Sequence, residues 1–345
     1  MKTWFGGRTP FAILIAALAL LTLGPSAGSA QEFYKGKTVT VFVGFEPGAS
    51  YDFYGRLLAR HIGKHLPGNP TVIVSSMPGA GGLRAANHLF AVAPRDGTAI
   101  GIVTLSLWLE EVLGNPAVKY KTEEYNWIGR VSDVVGVIMS WNTSKTKIAS
   151  DLRMHEIPIA TTGPGSTTYG YSLLLNAFAN TRFKIVSGYQ GSAPSMLAME
   201  RGEVEAATTD WNLLRTGKSD WLRDKTVNVL LLHSGKRLAE LPDVPAAAEM
   251  AETPEGRQIL TLYASGQDIV GRSFLAPPGL PPARVAELRA AFDAAMNDPE
   301  LKAEIATAGA DFNPLTGVEL QQRLTELGKS PPALLARMKE VLSAQ

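Results

Sequence analysis

Three short apolar runs, Thr38 to Phe45, Thr71 to Ser75 and Thr98 to Thr104, are separated by two stretches of helical periodicity, and this alternation narrows the fold more than any other feature of the chain. Thr38 to Phe45 is β-branched and almost continuously apolar, the pattern of a strand covered on both faces in a parallel sheet. A helix is predicted over Asp52 to Leu66, where Tyr54, Leu57, Leu58, His61, Ile62 and Leu66 recur at helical spacing before Pro67-Gly68-Asn69-Pro70 ends the pattern. Leu83 to Ala93 reads as a second helix, and Pro94-Arg95-Asp96-Gly97 turns the chain into the third strand. The β-α-β-α-β order predicts a doubly wound α/β sheet.

Two glycine-rich loops interrupt this unit, Glu46-Pro47-Gly48-Ala49-Ser50-Tyr51-Asp52 and Met77-Pro78-Gly79-Ala80-Gly81-Gly82. A strand that passes through glycine into a helix leaves main-chain N–H groups at the positive end of the helix dipole, so each loop reads as a cradle for a carboxylate or phosphate. Either loop alone would read as turn punctuation. Two at successive strand ends, where open α/β sheets bind ligands, favour a binding role. Asp52 fits two roles, an N-cap of the first helix or a fixer of bound water. Arg56 and Arg84 are either carboxylate clamps or partners in ion pairs, and Glu46 would repel an anion if it faced the cleft.

A second α/β unit is predicted from Trp127 onward: strands at Val131 to Ser140, Ile157 to Thr161, Phe183 to Ser187, Val204 to Thr208 and Val227 to His233, with helices at Thr167 to Ala179 and Ala193 to Arg201. A proline-punctuated, strand-poor stretch leads to helices at Pro282 to Asn297, Pro299 to Ala308, Gly317 to Leu327 and Pro331 to Leu342. The expected organisation is a signal peptide over residues 1–30, one lobe from 31–130 plus 234–345, and a second from 131–233, with a ligand cleft between the lobes. Lys2 and Arg8 precede an apolar run of about 13 residues, shorter than the roughly 20 of a spanning helix, and Gly28-Ser29-Ala30 offers small residues for cleavage. Loss of Lys2 and Arg8 with that leader turns 33 basic and 32 acidic residues into 31 and 32, a formal charge of about −1.

That balance, with charges interspersed along helical faces, argues against a nucleic-acid partner. The chain has no cysteine, which excludes thiolate nucleophiles and cysteine metal sites. After the expected leader no Gly-x-Ser-x-Gly or Gly-x-Gly-x-x-Gly pattern is present, and no Gly-Lys-Ser/Thr follows either glycine-rich loop. Ser50 with His88 and Ser166 with His155 are the serine–histidine pairings considered for a secreted hydrolase, a reading ranked well below binding. His61 and His65 stand at helical spacing without the glutamate of a His-Glu-x-x-His site, so no metal and no cofactor are expected. Tyr51, Tyr189 and Trp211 lie near the loops; facing a cleft, they would suit an aromatic or long apolar ligand body.

Pro47-Gly48 with Asp52, Pro78-Gly79-Ala80-Gly81-Gly82, Pro94-x-Asp96-Gly97-Thr98, Leu241-Pro242-Asp243-Val244-Pro245, Ala276-Pro277-Pro278-Gly279-x-Pro281 and Asp298-Pro299 occur in that order. Together they resemble the substrate-binding receptors of the tripartite tricarboxylate transporter family over essentially the whole chain after the leader. The resemblance implies a type II periplasmic binding protein fold: two doubly wound lobes around an interlobe cleft. It implies a monomeric periplasmic protein that captures a small carboxylate, di- or tricarboxylic or aromatic, for the subunits of a membrane permease; presentation of the ligand to a sensor kinase is the alternative. Carried over, it gives Gly48, Ala49, Ser50, Asp52, Gly79, Ala80 and Gly81 in the first lobe as ligand contacts. In the second lobe it gives Gly165, Ser166, Thr167, Tyr189, Gly191 and Ser192, with Asp210 shifted by one position from the family pattern. The usual third glycine of the first loop is here Ala49.

Overall fold

The computed structural model describes residues 1–4, 33–48, 50–163, 166–189 and 191–343; the expected leader beyond Trp4, together with Ala49 and Gly165, lies outside the described residues. Strands are numbered in chain order. The first sheet holds β1 (Thr38–Val43), β2 (Thr71–Ser76), β3 (Ala99–Ile102), β4 (Asn126–Arg130), β10 (Ser273–Ala276) and β11 (Leu315–Thr316), in the order β11-β4-β10-β3-β1-β2. The second holds β5 (Gly136–Trp141), β6 (Ile157–Thr161), β7 (Phe183–Ser187), β8 (Ala206–Asp210) and β9 (Val227–His233), in the order β7-β6-β8-β5-β9. The helices are α1 (Ser50–Ile62), α2 (Leu83–Ala91), α3 (Leu107–Val112), α4 (Thr167–Phe178), α5 (Ser192–Glu200), α6 (Trp211–Gly217), α7 (Ser219–Arg223), α8 (Pro254–Val270), α9 (Pro282–Asn297), α10 (Pro299–Thr307), α11 (Gly317–Gly328) and α12 (Pro332–Ser343).

The parallel pairing expected from the alternation holds for β1 with β2 and β3, where Val41 lies opposite Val74 and Ile100. It holds equally for β6 with β7 and β8. Each sheet also contains one internal strand of opposite direction, β10 in the first and β5 in the second, so both are mixed. Along β1 the burial alternates: Val39, Val41 and Val43 are fully enclosed while Thr40 and Phe42 keep some exposure. Each enclosed valine contributes on the order of 2 kcal/mol of transfer free energy. Helix α1 packs against β1 and β2, and Gly55 lets it settle there, since a Cβ at that position would stand 2.7 Å from a Val43 methyl.

The run expected as one strand from Val131 to Ser140 is divided between the sheets. Asn126–Arg130 joins the first, Gly136–Trp141 joins the second, and residues 131–135 cross between them. A second crossing lies beside it: the Arg272 N–H donates to the Ser132 carbonyl at 2.8 Å, and the Val131 N–H donates to the Arg272 carbonyl at 3.1 Å. The strand-poor stretch contains the long helix α8, which opens on Pro254 after Thr253, whose hydroxyl accepts the Gly256 N–H at 3.0 Å.

Helix α8 ties the halves together. Ile259, Leu260 and Tyr263 belong to the same buried apolar body as Leu89 and Trp127 beside the first sheet and Leu174 and Leu231 of the second. Gly170 of α4 lies so close beneath the Tyr263 ring that any side chain there would overlap the phenol oxygen. Among the described residues, no helix is long and apolar enough to cross a membrane.

Candidate functional site

Where β1, β3, β6, β7, β8 and β9 end, both sheets open onto one cavity of about 610 Å³. Its first-sheet wall is built by Phe45, Tyr51 and Leu105. The Phe45 and Tyr51 rings stack at 4.2 Å and 23°, because Tyr51 sits in the first turn of α1, directly over the end of β1. Two hydroxyls of this wall are occupied: the Tyr51 hydroxyl accepts the Leu105 N–H at 2.8 Å, and the Thr104 hydroxyl accepts the Ser106 N–H at 3.3 Å.

The second-sheet wall is rich in hydroxyls. Ser166 and Thr167 open α4, Gly191 and Ser192 open α5, and Thr208 and Thr209 close β8. Ser166 caps α4, accepting the Tyr169 N–H at 3.3 Å, whereas α5 begins on Gly191 and has no side-chain cap. The hydroxyls of Thr208 and Thr209 are buried and make no hydrogen bond among the described residues. His233, at the end of β9, stacks on Tyr171 at 3.8 Å, and its Nε2 is likewise buried without a partner there. Burial lowers the His233 pKa from 6.5 to about 3, so the ring is neutral at neutral pH and offers a hydrogen bond but no charge.

Arg272 and Gln267 meet the cavity from the crossover side. Only 4% of Arg272 is exposed. Its guanidinium lies 4.2 Å from the Tyr51 ring centre, and Nη2 reaches Asp210 Oδ2 at 3.3 Å. Burial opposes its charge, but Tyr51 and Asp210 outweigh that and hold its pKa above the usual value. Arg272 Nη1 and Gln267 Nε2 are both buried without partners among the described residues. Buried donors and acceptors are ordinarily paired, at a cost of about 1–3 kcal/mol each when they are not. Five such atoms belong to residues that line the cavity, Thr208, Thr209, His233, Gln267 and Arg272.

Of the residues chosen from sequence, Gly81, Ser166, Thr167, Tyr189, Gly191, Ser192 and Asp210 come together on this cavity. Gly48, Ser50, Asp52, Gly79 and Ala80 do not lie on its walls. Ser50 lines a neighbouring cavity of about 190 Å³ that shares Asp210 and Arg272 with the main one. The Gly48 N–H, expected to await an anion, is taken by the Asp52 carboxylate at 2.9 Å, which also accepts from Arg56 Nε at 2.9 Å. Burial works against the charge of Asp52, yet these two donors hold its carboxyl below the ordinary range. Arg84 is exposed, packs against Gly79 and reaches the Pro78 carbonyl at 3.5 Å. Glu46 is exposed, and Trp211 donates to Glu240 at 2.7 Å.

The serine–histidine pairings are not made. His155 is bonded to Glu205 at 3.1 Å and Thr146 at 3.2 Å, Ser166 donates to the Gly163 carbonyl, and His88 packs on Phe42. His61 and His65 pair with Glu304 at 2.9 Å and Asp298 at 3.1 Å, and Lys64 lies 2.6 Å from both Asp298 and Glu300. Arg60, which pairs with Glu304, and Lys64 bring positive charge to that cluster, which fastens the end of α1 and the turn after it to α10.

Arg272, His233, Gln267, Thr208 and Thr209 were not singled out as ligand contacts from sequence. A lone arginine at the head of the apolar run Ser273–Ala276, and a histidine at the foot of Val227–His233, are the available signals. Gln267, inside a helix, gives none.

The family model described as "Tripartite tricarboxylate transporter family receptor" matches residues 55–327, and the chain belongs to that family. A UPF0065 protein of Agrobacterium vitis is 27% identical over 247 residues, covering 68% of this chain and 67% of its own length. Among solved structures, a TctC solute binding protein from Polaromonas superposes with a TM-score of 0.66 at 18% identity, covering 90% of this chain and 100% of that one. MatC from Rhodopseudomonas palustris, with malate bound, superposes with a TM-score of 0.61 at 22% identity, covering 89% and 99%. At these identities the structures establish the fold alone, a two-lobed α/β architecture of the kind seen in solute-binding proteins.

Proposed function

We propose that this chain is a periplasmic solute-binding protein that captures a small carboxylate with an apolar or aromatic body and delivers it to the membrane subunits of a tripartite transporter. One observation carries the reading: a roughly 610 Å³ cavity between two sheets, holding a buried arginine whose Nη1 has no partner among the described residues. Arginine is the side chain best suited to a carboxylate, and the stacked Phe45–Tyr51 pair beside it suits an apolar body. Residues 31–130 with 234–345 form one lobe in this proposal and 131–233 the other, after removal of a leader ending at Ala30, and the protein acts as a monomer. Membership of a transporter receptor family supports the permease as recipient.

Capture proceeds by population shift. A carboxylate held on Arg272 and touched by the second-sheet hydroxyls binds the closed arrangement better than the open one, so binding favours closure. Thermal-shift screening of the exported protein against C4 to C6 diacids, citrate and aromatic carboxylates tests the reading. A ligand at 100 times its Kd adds about 2.7 kcal/mol of stability. Failure of every carboxylate to raise Tm, with the protein folded, would overturn it.

A further inference from the structure

Away from the chain crossings, the two sheets are joined in chemically different ways. At α8 the joint is apolar: Ile259, Leu260 and Tyr263 enter a buried body shared by both sheets, and the Tyr263 oxygen presses on Gly170 of α4. Parting these surfaces would expose apolar area to water. At α6 the joint is polar. Helix α6 follows β8 of the second sheet, and it meets residues 309–311, which lie between α10 and β11 of the first. Asn212 Nδ2 donates to the Gly309 carbonyl and to Asp311 Oδ1, both at 2.9 Å, and Arg215 Nη2 donates to the same Oδ1 at 2.8 Å. The far side of this joint is fixed, since the Tyr54 hydroxyl of α1 donates to the Asp311 carbonyl at 2.9 Å. Water reaches it, because the side chains of Arg215 and Asp311 are 37% and 33% exposed. Burial outweighs the Arg215 and Asn212 donors and raises the Asp311 carboxyl above its ordinary range, so the joint holds the carboxylate less firmly than water does. Hydrogen bonds that water can replace are broken at small net cost, whereas a close-packed apolar face is not.

Resting on the two-lobe closure read above, we propose that α6 and residues 309–311 form a releasable clasp: the halves part at this joint and pivot on α8. The cavity of about 190 Å³ lined by Tyr54, Asn212 and Asp311 lies against the clasp and shares Asp210 and Arg272 with the main one, so release opens the main cavity from that side. While closed, the clasp adds to the stability of the closed arrangement and thereby to the affinity of any ligand that requires it.

The chain has no cysteine, so an introduced disulfide can lock this joint without competing thiols. A Cβ at position 309 would stand 3.7 Å from the Thr216 Cβ, within disulfide range. Small-angle X-ray scattering of the exported protein without ligand reads the outcome. Asp311→Ala and Arg215→Ala are each expected to raise the radius of gyration by about 1 Å over the roughly 20 Å of a compact chain of this size, with circular dichroism unchanged. In either variant, adding Thr216→Cys with Gly309→Cys should restore the parent radius on oxidation and lose it again on reduction. Parent radii in both alanine variants would overturn the clasp, as would an increase that oxidation does not reverse or a cysteine pair that stays reduced under oxidant. These measurements need no carboxylate. If they come out as expected while no carboxylate raises Tm, the receptor reading fails and the clasp stands; if a carboxylate raises Tm while the radii do not respond, the clasp alone fails.

Discussion

The two walls of the cavity differ in how far each satisfies its own polar groups. On the first-sheet side, Tyr51 and Thr104 spend their oxygens on the Leu105 and Ser106 amides, and the neighbouring Gly48 amide is met by Asp52. On the second-sheet and crossover side, the hydroxyls of Thr208 and Thr209, His233 Nε2, Gln267 Nε2 and Arg272 Nη1 are buried and unmatched among the described residues. The first wall is finished as a protein surface, an aromatic floor that can hold an apolar body. The second is left incomplete at a cost in folding free energy.

The largest expected effect on this contrast comes from pH. His233 stays neutral in the fold down to about pH 3, whereas in the unfolded chain it takes up a proton near pH 6.5. Between those values the unfolded state binds more protons, so His233 makes stability fall as pH falls, by up to about 1.4 kcal/mol per unit. Denaturant melts from pH 7 to pH 4 should show His233→Asn with a shallower slope than the parent; equal slopes would place the ring outside the buried wall.

Arg272→Gln is next. Loss of a charge-assisted bond to a carboxylate should weaken binding at least about 30-fold by calorimetry. An affinity within threefold of the parent would move the anion site elsewhere. Thr209→Val sharpens the contrast further, since it replaces an unmatched hydroxyl by a methyl group of similar size. Stability without ligand should hold or rise, while affinity drops roughly fivefold; a melting temperature that falls by several degrees would show that the hydroxyl serves the fold. At the small end, Arg56→Ala, on the exposed face of α1, should leave affinity within about twofold of the parent. A large loss there would return the first loop to the ligand.

Much of the scaffold is legible in the chain. Ile157–Thr161, Phe183–Ser187, Val227–His233 and Pro282–Asn297 form as read, because each is bounded by a change of period or by proline at a helix start. The crossing at 131–135 was not legible. Val131 to Ser140 reads as one strand by its valines, although Ser132-Asp133 and Gly136 interrupt the apolar residues where the chain crosses between sheets. Helix α8, packed on α3, α4, α11 and α12, was missed as well, although Ile259, Tyr263, Gly266 and Val270 recur there at helical spacing.

For the candidate site, the sequence marks loops at strand ends, and seven of the chosen residues do share the cavity. Asp52 shows the limit. Its position before a helical run suits a cap or a ligand contact equally, and only the 2.9 Å contact to the Gly48 amide reveals that it closes its own loop.

By itself, then, the sequence determined the elements and the edge at which they open, because periodicity and glycine act over a few residues. Which polar groups remain unmatched was decided by the tertiary structure alone. Arg272 lies 62 positions from Asp210, and their pairing exists only because two crossings bring the ends of β8 and β10 together. Whether a buried atom has a partner depends on all the chain folded around it, and no stretch of neighbouring residues contains that information.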